Sequence, residues 1–125
     1  MKNNKYYRVY AEINLDAIVK NVDNLMALTK ENTGALAVVK ADGYGHGDVA
    51  VAKAVAQKVT GYAVATLDEA VNLRENGVKK PILVLGYVDP YEFDILVSHE
   101  ITATVFDVET AQLLADAARV QKKQA

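Results

Sequence analysis

The chain has 125 residues with fourteen basic and sixteen acidic side chains, which gives a net charge of −2, and 51% of its residues are hydrophobic. This length and composition suit one folded domain. The near-neutral charge argues against a nucleic-acid or polybasic membrane partner, because both need a concentrated positive field. The absence of cysteine excludes disulfides, cysteine-ligated zinc and thiol nucleophiles. No apolar run approaches the ~20 residues of a membrane span, and no apolar signal core follows the N-terminus. We therefore expect a cytoplasmic protein.

The first third of the chain predicts one strand and one helix. Residues 7–14 alternate between apolar and polar side chains, which is typical of a half-buried strand. Asp16 is a candidate N-cap for a helix that continues to about Lys30. Three of its apolar residues recur at helical spacing and predict a buried face: Ile18, Val22 and Leu25.

Four strand–helix units follow this leading pair. The predicted strands are 36–40, 62–65, 82–86 and 101–106, and the predicted helices start near residues 48, 66, 89 and 107. Thr66 and Glu69 have the spacing of a capping box, and Asp89-Pro90 has the pattern of an N-cap followed by a first helical residue. Strands that alternate with helices predict a parallel sheet.

Two architectures have this order of elements, an open three-layer sandwich and part of a closed (β/α)8 barrel. A complete barrel needs roughly 250 residues, so 125 residues hold about half of one. The chain stops just past a helix, where a fifth strand would be expected. We therefore expect it to be a segment of a larger protein.

The most informative stretch is residues 37–47, which read AVVKADGYGHG. An apolar β-branched run ends at Lys40, and three glycines follow within five residues. This order places an amine at the rim of a sheet, where α/β proteins keep their chemistry. Partial removal from water favours the neutral form of an amine, and a neutral amine can form a Schiff base with an aldehyde such as pyridoxal phosphate. The alternative is a surface lysine whose stem packs against the end of a strand.

This stretch closely resembles the cofactor-lysine signature of the alanine racemase family. Residues 11–18, 65–70 and 82–86 extend the resemblance over nearly the whole chain. The resemblance implies that residues 1–125 are the N-terminal part of a (β/α)8 barrel domain that binds pyridoxal phosphate. A C-terminal β-rich domain would lie outside this chain. It also implies a homodimer that interconverts L- and D-alanine and supplies D-alanine for peptidoglycan precursors.

The resemblance also implies roles for four residues. Lys40 would hold the cofactor covalently and move the α-proton on one face of the substrate. Tyr44 would contact the cofactor phosphate, and Val38 and Leu85 would form apolar walls beside it. The second acid–base group would be a tyrosine of the partner subunit, outside this chain. The alternatives are a Tyr44 ring packed under the loop and a pure core role for Val38 and Leu85.

Two other functional hypotheses remain open at this stage. The substrate could be serine or a broader set of amino acids, because residues outside this segment would select it. The segment could instead be a catalytically inert module that self-associates through open sheet edges. Within the loop, we expect Asp42 to shape the backbone and His46 to have a packing role.

Overall fold

The computed structural model describes residues 9–124 and has an α/β fold built on a four-stranded parallel sheet. The strands are β1 (Leu36–Val38), β2 (Gly61–Val64), β3 (Ile82–Val84) and β4 (Thr102–Ala103). The helices are α1 (Leu15–Met26), α2 (Lys40–Gly45), α3 (Asp48–Ala54), α4 (Leu67–Glu75), a 3-10 turn (Pro90–Glu92), α5 (Phe93–Ser98) and α6 (Val108–Gln121).

The strands lie side by side in chain order, so this part of the sheet contains no switch in strand order. Doubly wound sandwiches reverse their strand order at such a switch, whereas consecutive units of a barrel do not. The predicted parallel sheet is therefore confirmed, and its order favours the barrel over the sandwich. No helix within residues 9–124 is long and apolar enough to cross a membrane.

The hydrophobic core lies between the helices and one face of the sheet. Val39, Val64 and Val84 point into it and are 2% exposed or less. The buried Tyr62 hydroxyl donates a 2.6 Å hydrogen bond to the Ala52 carbonyl, and burial raises the pKa of that hydroxyl. The core is thus built from alternate residues of the strands, which leaves the other residues for the opposite face.

Local capping signals set the starts of three helices as predicted. Thr66 and Glu69 form the capping box of α4. Asp89 accepts a 3.0 Å hydrogen bond from the Tyr91 N–H at the start of the 3-10 turn. Asp107 accepts a 2.7 Å bond from the Thr110 N–H at the start of α6, and this bond is the main cause of the lowered pKa of the Asp107 carboxyl.

The leading strand predicted at residues 7–14 is wrong over its described part. Residues 9–14 form no strand, and residues 7 and 8 lie outside the described part of the chain. A strand needs a neighbour to complete its hydrogen bonds, and β1 pairs only with β2 among the described strands. Asn14, rather than Asp16, caps α1 by accepting a 2.9 Å bond from the Ala17 N–H.

Several predicted elements are shorter in the structure. Helix α1 ends at Met26 rather than near Lys30, and β1 and β3 end at Val38 and Val84 rather than at residues 40 and 86. The fourth strand includes only Thr102–Ala103 of the predicted 101–106. Element ends are where sequence patterns are least informative, because terminal residues make few periodic contacts.

Candidate functional site

Lys40 lies at the carboxyl edge of the sheet, immediately after β1. The preceding residue, Val39, donates a 2.9 Å hydrogen bond to the Ala63 carbonyl of β2 and is buried beneath the edge. Lys40 itself is half-buried. This is the edge where barrel enzymes place their catalytic groups.

The loop after Lys40 is a left-handed helical turn. Ala41, Asp42, Gly43 and Tyr44 all have φ between 51° and 60° and ψ between 36° and 53°. This conformation costs about 1–2 kcal/mol for each residue that has a Cβ atom. Three of the four residues carry that cost, so the surrounding structure must hold the turn in place.

Backbone hydrogen bonds close the turn from within. The Gly43 N–H donates to the Val39 carbonyl at 2.9 Å, and the Gly47 N–H donates to the Asp42 carbonyl at 2.9 Å. The His46 Nδ1 atom lies 3.0 Å from the Gly43 carbonyl oxygen, within hydrogen-bond distance. His46 therefore contacts the loop backbone through its ring nitrogen, although the residue is exposed rather than packed.

Side chains hold both ends of the turn. At its far end, an Asp42 carboxylate oxygen accepts a 3.1 Å bond from the Asp48 N–H at the start of α3, which confirms the predicted loop-shaping role of Asp42. At its near end, a Glu69 carboxylate oxygen accepts a 2.7 Å bond from the Ala41 N–H. A hydrogen bond to a charged group contributes about 1.5–3 kcal/mol, which is enough to offset the strain of one left-handed residue.

The turn brings Tyr44 next to Lys40. The Lys40 Nζ atom lies 5.7 Å from the centroid of the Tyr44 ring, within the range of a cation–π contact. The Tyr44 side chain is 59% exposed, so it is not packed under the loop. An amine and a phenol thus lie together on the open side of the sheet edge.

Val38 and Leu85 lie on the face of the sheet opposite the helices. Val38 aligns with Ala63 of β2, which aligns with Leu83 of β3, and Leu85 follows two residues later. Val38 is 42% exposed and Leu85 is 43% exposed, so neither belongs to the buried core. Both present apolar surface on the side of the sheet that the described helices leave uncovered.

Sequence patterns did not predict the left-handed turn or the part that Glu69 plays in it. The sequence shows three glycines in this stretch, yet Ala41 and Tyr44, which have Cβ atoms, also adopt positive φ. The capping box identified Glu69 as a helix cap, but nothing in the spacing connects it to residue 41, which is 28 positions away. Only the alignment of β1 beside β2 brings the two together.

Replacing Gly43 by alanine is expected to reduce the free energy of unfolding by about 2–3 kcal/mol. The new Cβ atom would meet a left-handed backbone and would lie 3.2 Å from the Asp48 backbone nitrogen. Gly45→Ala is the matched control, because Gly45 also has a positive φ but its new Cβ atom would have no neighbouring atom within 4 Å. Gly45→Ala should reduce the free energy of unfolding by only about 1–2 kcal/mol. Denaturant unfolding would measure both variants, and equal reductions in the free energy of unfolding would show that Gly43 is not closely packed.

Comparison with known proteins identifies relatives of this chain. The family described as alanine racemase, N-terminal domain, matches residues 13–125. Alanine racemase 1 of Bacillus subtilis is 45% identical over 98% of this chain, which corresponds to 31% of that protein. The chain therefore spans about a third of the length of the curated relatives it matches.

Solved structures agree with this relationship. Alanine racemase of Clostridium difficile in complex with cycloserine superposes with a TM-score of 0.88 at 39% identity, covering 94% of this chain and 33% of that one. A histidine racemase from Leuconostoc mesenteroides superposes with a TM-score of 0.77 at 29% identity, covering 86% of this chain and 29% of that one. These likenesses confirm the predicted α/β fold class, part of a barrel. The chain belongs to the alanine racemase family, of which it carries the N-terminal domain segment.

Proposed function

We propose that the protein carrying this chain is an alanine racemase that uses pyridoxal phosphate, with Lys40 as the residue that holds the cofactor. The observation that supports this most directly is the Lys40 amine at the carboxyl edge of the sheet, beside the Tyr44 phenol and followed by a left-handed turn. In this proposal, residues 1–125 are the N-terminal part of the cofactor-binding barrel domain, and a β-rich domain follows outside the chain.

The chemistry of the side chains fits this cofactor. Lys40 offers an amine for its aldehyde, and the Tyr44 hydroxyl offers a hydrogen-bond donor for its phosphate. Val38 and Leu85 offer exposed apolar surface for a flat aromatic ring on the face of the sheet that the helices leave open. When bound, pyridoxal phosphate withdraws electrons from the substrate's α-carbon and so makes its proton easier to remove.

Lys40 would remove or return the α-proton on one face of the substrate. Racemisation needs a second acid–base group on the opposite face, because a proton removed from and returned to the same face leaves the configuration of the α-carbon unchanged. We expect that group outside this chain, on a tyrosine of a partner subunit. The homodimer, the cytoplasmic location and the supply of D-alanine for peptidoglycan stay predictions.

A second substrate class has one specific observation in its favour. A histidine racemase shares this fold segment at 29% identity, so the segment is compatible with a side chain larger than a methyl group. Serine or a broader set of amino acids therefore remains the alternative. Assays of the full-length protein with pyridoxal phosphate and alanine, serine or histidine would decide between them by comparing kcat/KM. The proposal expects alanine to give the highest value, and a higher value for serine or histidine would favour the alternative.

Cofactor attachment can be tested apart from turnover. After addition of pyridoxal phosphate and reduction with borohydride, mass spectrometry is expected to find the label on Lys40. The exposed Lys53 of α3 serves as an internal comparison within the same digest. A label distributed over other lysines, with none on Lys40, would contradict the assignment.

A further inference from the structure

Glu69 connects the ends of two neighbouring strands through one carboxylate. Its Oε1 atom accepts a 2.7 Å hydrogen bond from the Ala41 N–H, just after β1. Its Oε2 atom accepts a 2.7 Å bond from the Ala65 N–H, just after β2, and a 3.4 Å bond from the Thr66 N–H. The carboxylate therefore lies between the exits of β1 and β2 at the edge that carries Lys40.

Helix capping alone does not account for this geometry. A capping box requires only that the glutamate reach the N–H of the N-cap residue, which here is Thr66. That bond is the longest of the three, whereas both short bonds go to strand ends. The carboxylate is thus better placed for the strand ends than for the helix that carries it.

The bond to Ala41 acts on the peptide unit that joins Lys40 to Ala41. Because a peptide unit is planar, fixing its N–H also fixes the carbonyl of Lys40 and limits rotation next to the Lys40 Cα atom. Ala41 is the first residue of the left-handed turn, so this bond also holds the turn that carries Tyr44. Without it, the Ala41 N–H would need water as its acceptor, and the peptide could rotate toward an ordinary conformation.

We propose that Glu69 is a positioning residue that orients the Lys40 amine and the Tyr44 phenol by holding the peptide between Lys40 and Ala41. This inference rests on the proposed function, in which Lys40 holds the cofactor. Glu69 acts through the backbone, and no contact with the cofactor is required of it.

The test compares Glu69→Gln with Thr66→Ala in the full-length protein. Glutamine has nearly the same shape but replaces one acceptor oxygen with a donor, so it cannot accept from both Ala41 and Ala65. Thr66→Ala removes the 3.4 Å cap bond from the Glu69 N–H and leaves the carboxylate free to hold Ala41. Both variants weaken the start of α4, but only Glu69→Gln disturbs the left-handed turn that follows Lys40.

Two measurements separate positioning from stability. The first is hydrogen exchange of the Ala41 amide without pyridoxal phosphate, expected to be about tenfold faster in Glu69→Gln and unchanged in Thr66→Ala. The second is the pyridoxal phosphate concentration that half-saturates Lys40, measured by borohydride trapping and mass spectrometry. It is expected to rise about tenfold in Glu69→Gln, equivalent to about 1.4 kcal/mol, and to stay within about twofold in Thr66→Ala.

The outcomes distinguish this inference from the proposed function. If the unsubstituted protein takes no label on Lys40, the proposed function fails and the inference fails with it. If Lys40 is labelled normally and the two variants behave alike, only the positioning role of Glu69 is overturned. Should Glu69→Gln not fold, Glu69→Asp replaces it, because the shorter side chain cannot reach both strand ends. The same changes in Ala41 exchange and in half-saturation of Lys40 are expected.

Discussion

Replacing Lys40 by alanine in the full-length protein is expected to abolish covalent uptake of pyridoxal phosphate and to lower alanine racemisation by a factor on the order of 10³ or more. The loss should be this large because the substitution removes both the attachment point and the proposed base. The protein should still fold, since Lys40 lies at the sheet edge and outside the buried core. Absorption in the visible range and a racemisation assay would measure the two effects.

Lys53→Ala is the matched control for this substitution. Lys53 is an exposed lysine in the last turn of α3, close to Lys40 in the sequence but away from the carboxyl edge of the sheet. Its replacement should leave cofactor uptake and racemisation unchanged. Retention of covalent uptake by Lys40→Ala would move the attachment point to another residue and would contradict the proposal.

Lys40→Arg separates the charge of the side chain from its reactivity. The guanidinium group keeps the positive charge and can still lie over the Tyr44 ring, but it stays protonated and cannot attack an aldehyde. We expect it to be as deficient as alanine in covalent uptake. Substantial activity in this variant would show that positive charge, rather than a nucleophilic amine, is what the site requires.

The parts of the fold that could be predicted are those with local causes. The starts of α4 and α6 follow from Thr66 and Asp107, whose side chains satisfy helix N–H groups within three residues. The burial of Val39 and the exposure of Val38 follow from strand alternation. These features need only a few consecutive residues, so the sequence alone predicts them.

The left-handed turn has a cause that is distant in the sequence. Ala41 has no local preference for positive φ, and the Glu69 carboxylate that holds it belongs to a different strand–helix unit. The strand predicted at residues 7–14, which residues 9–14 do not form, failed for a similar reason. Alternating apolar and polar residues cannot supply a neighbouring strand to pair with. The sequence and its family resemblance therefore predicted roles for Lys40 and Tyr44 but could not predict the backbone that brings these two residues together.

Replacing Arg74 by methionine is expected to reduce the free energy of unfolding by about 3–5 kcal/mol. The Arg74 guanidinium donates four hydrogen bonds of 2.7–3.0 Å to backbone carbonyls, those of Val78, Lys80, His99 and Glu100. Desolvation by burial lowers the pKa of Arg74, and the charge of Glu100 partly opposes this shift. Methionine keeps much of the apolar stem but leaves all four carbonyls without this donor.

Arg119→Met is the matched control, since it removes the same group from an exposed site. Arg119 pairs with Asp116 on the surface of α6, at 2.7 Å, with 74% of its side chain exposed. Such a pair contributes less than about 1 kcal/mol. Denaturant unfolding of the full-length protein would compare the two variants, and losses of similar size would show that the Arg74 carbonyl contacts contribute little.

Arg74 and Glu69 lie at opposite ends of the same helix, which makes their predicted effects separable. Glu69 in the first turn of α4 holds the exits of β1 and β2, and Arg74 in the last turn holds the segments that lead into β3 and β4. Arg74→Met should therefore lower stability while leaving the pyridoxal phosphate affinity of the folded protein unchanged. Glu69→Gln should weaken that affinity by more than its loss of stability explains. A fall in cofactor affinity for Arg74→Met, measured where the protein is fully folded, would mean that α4 transmits strain along its length and that the two ends do not act independently.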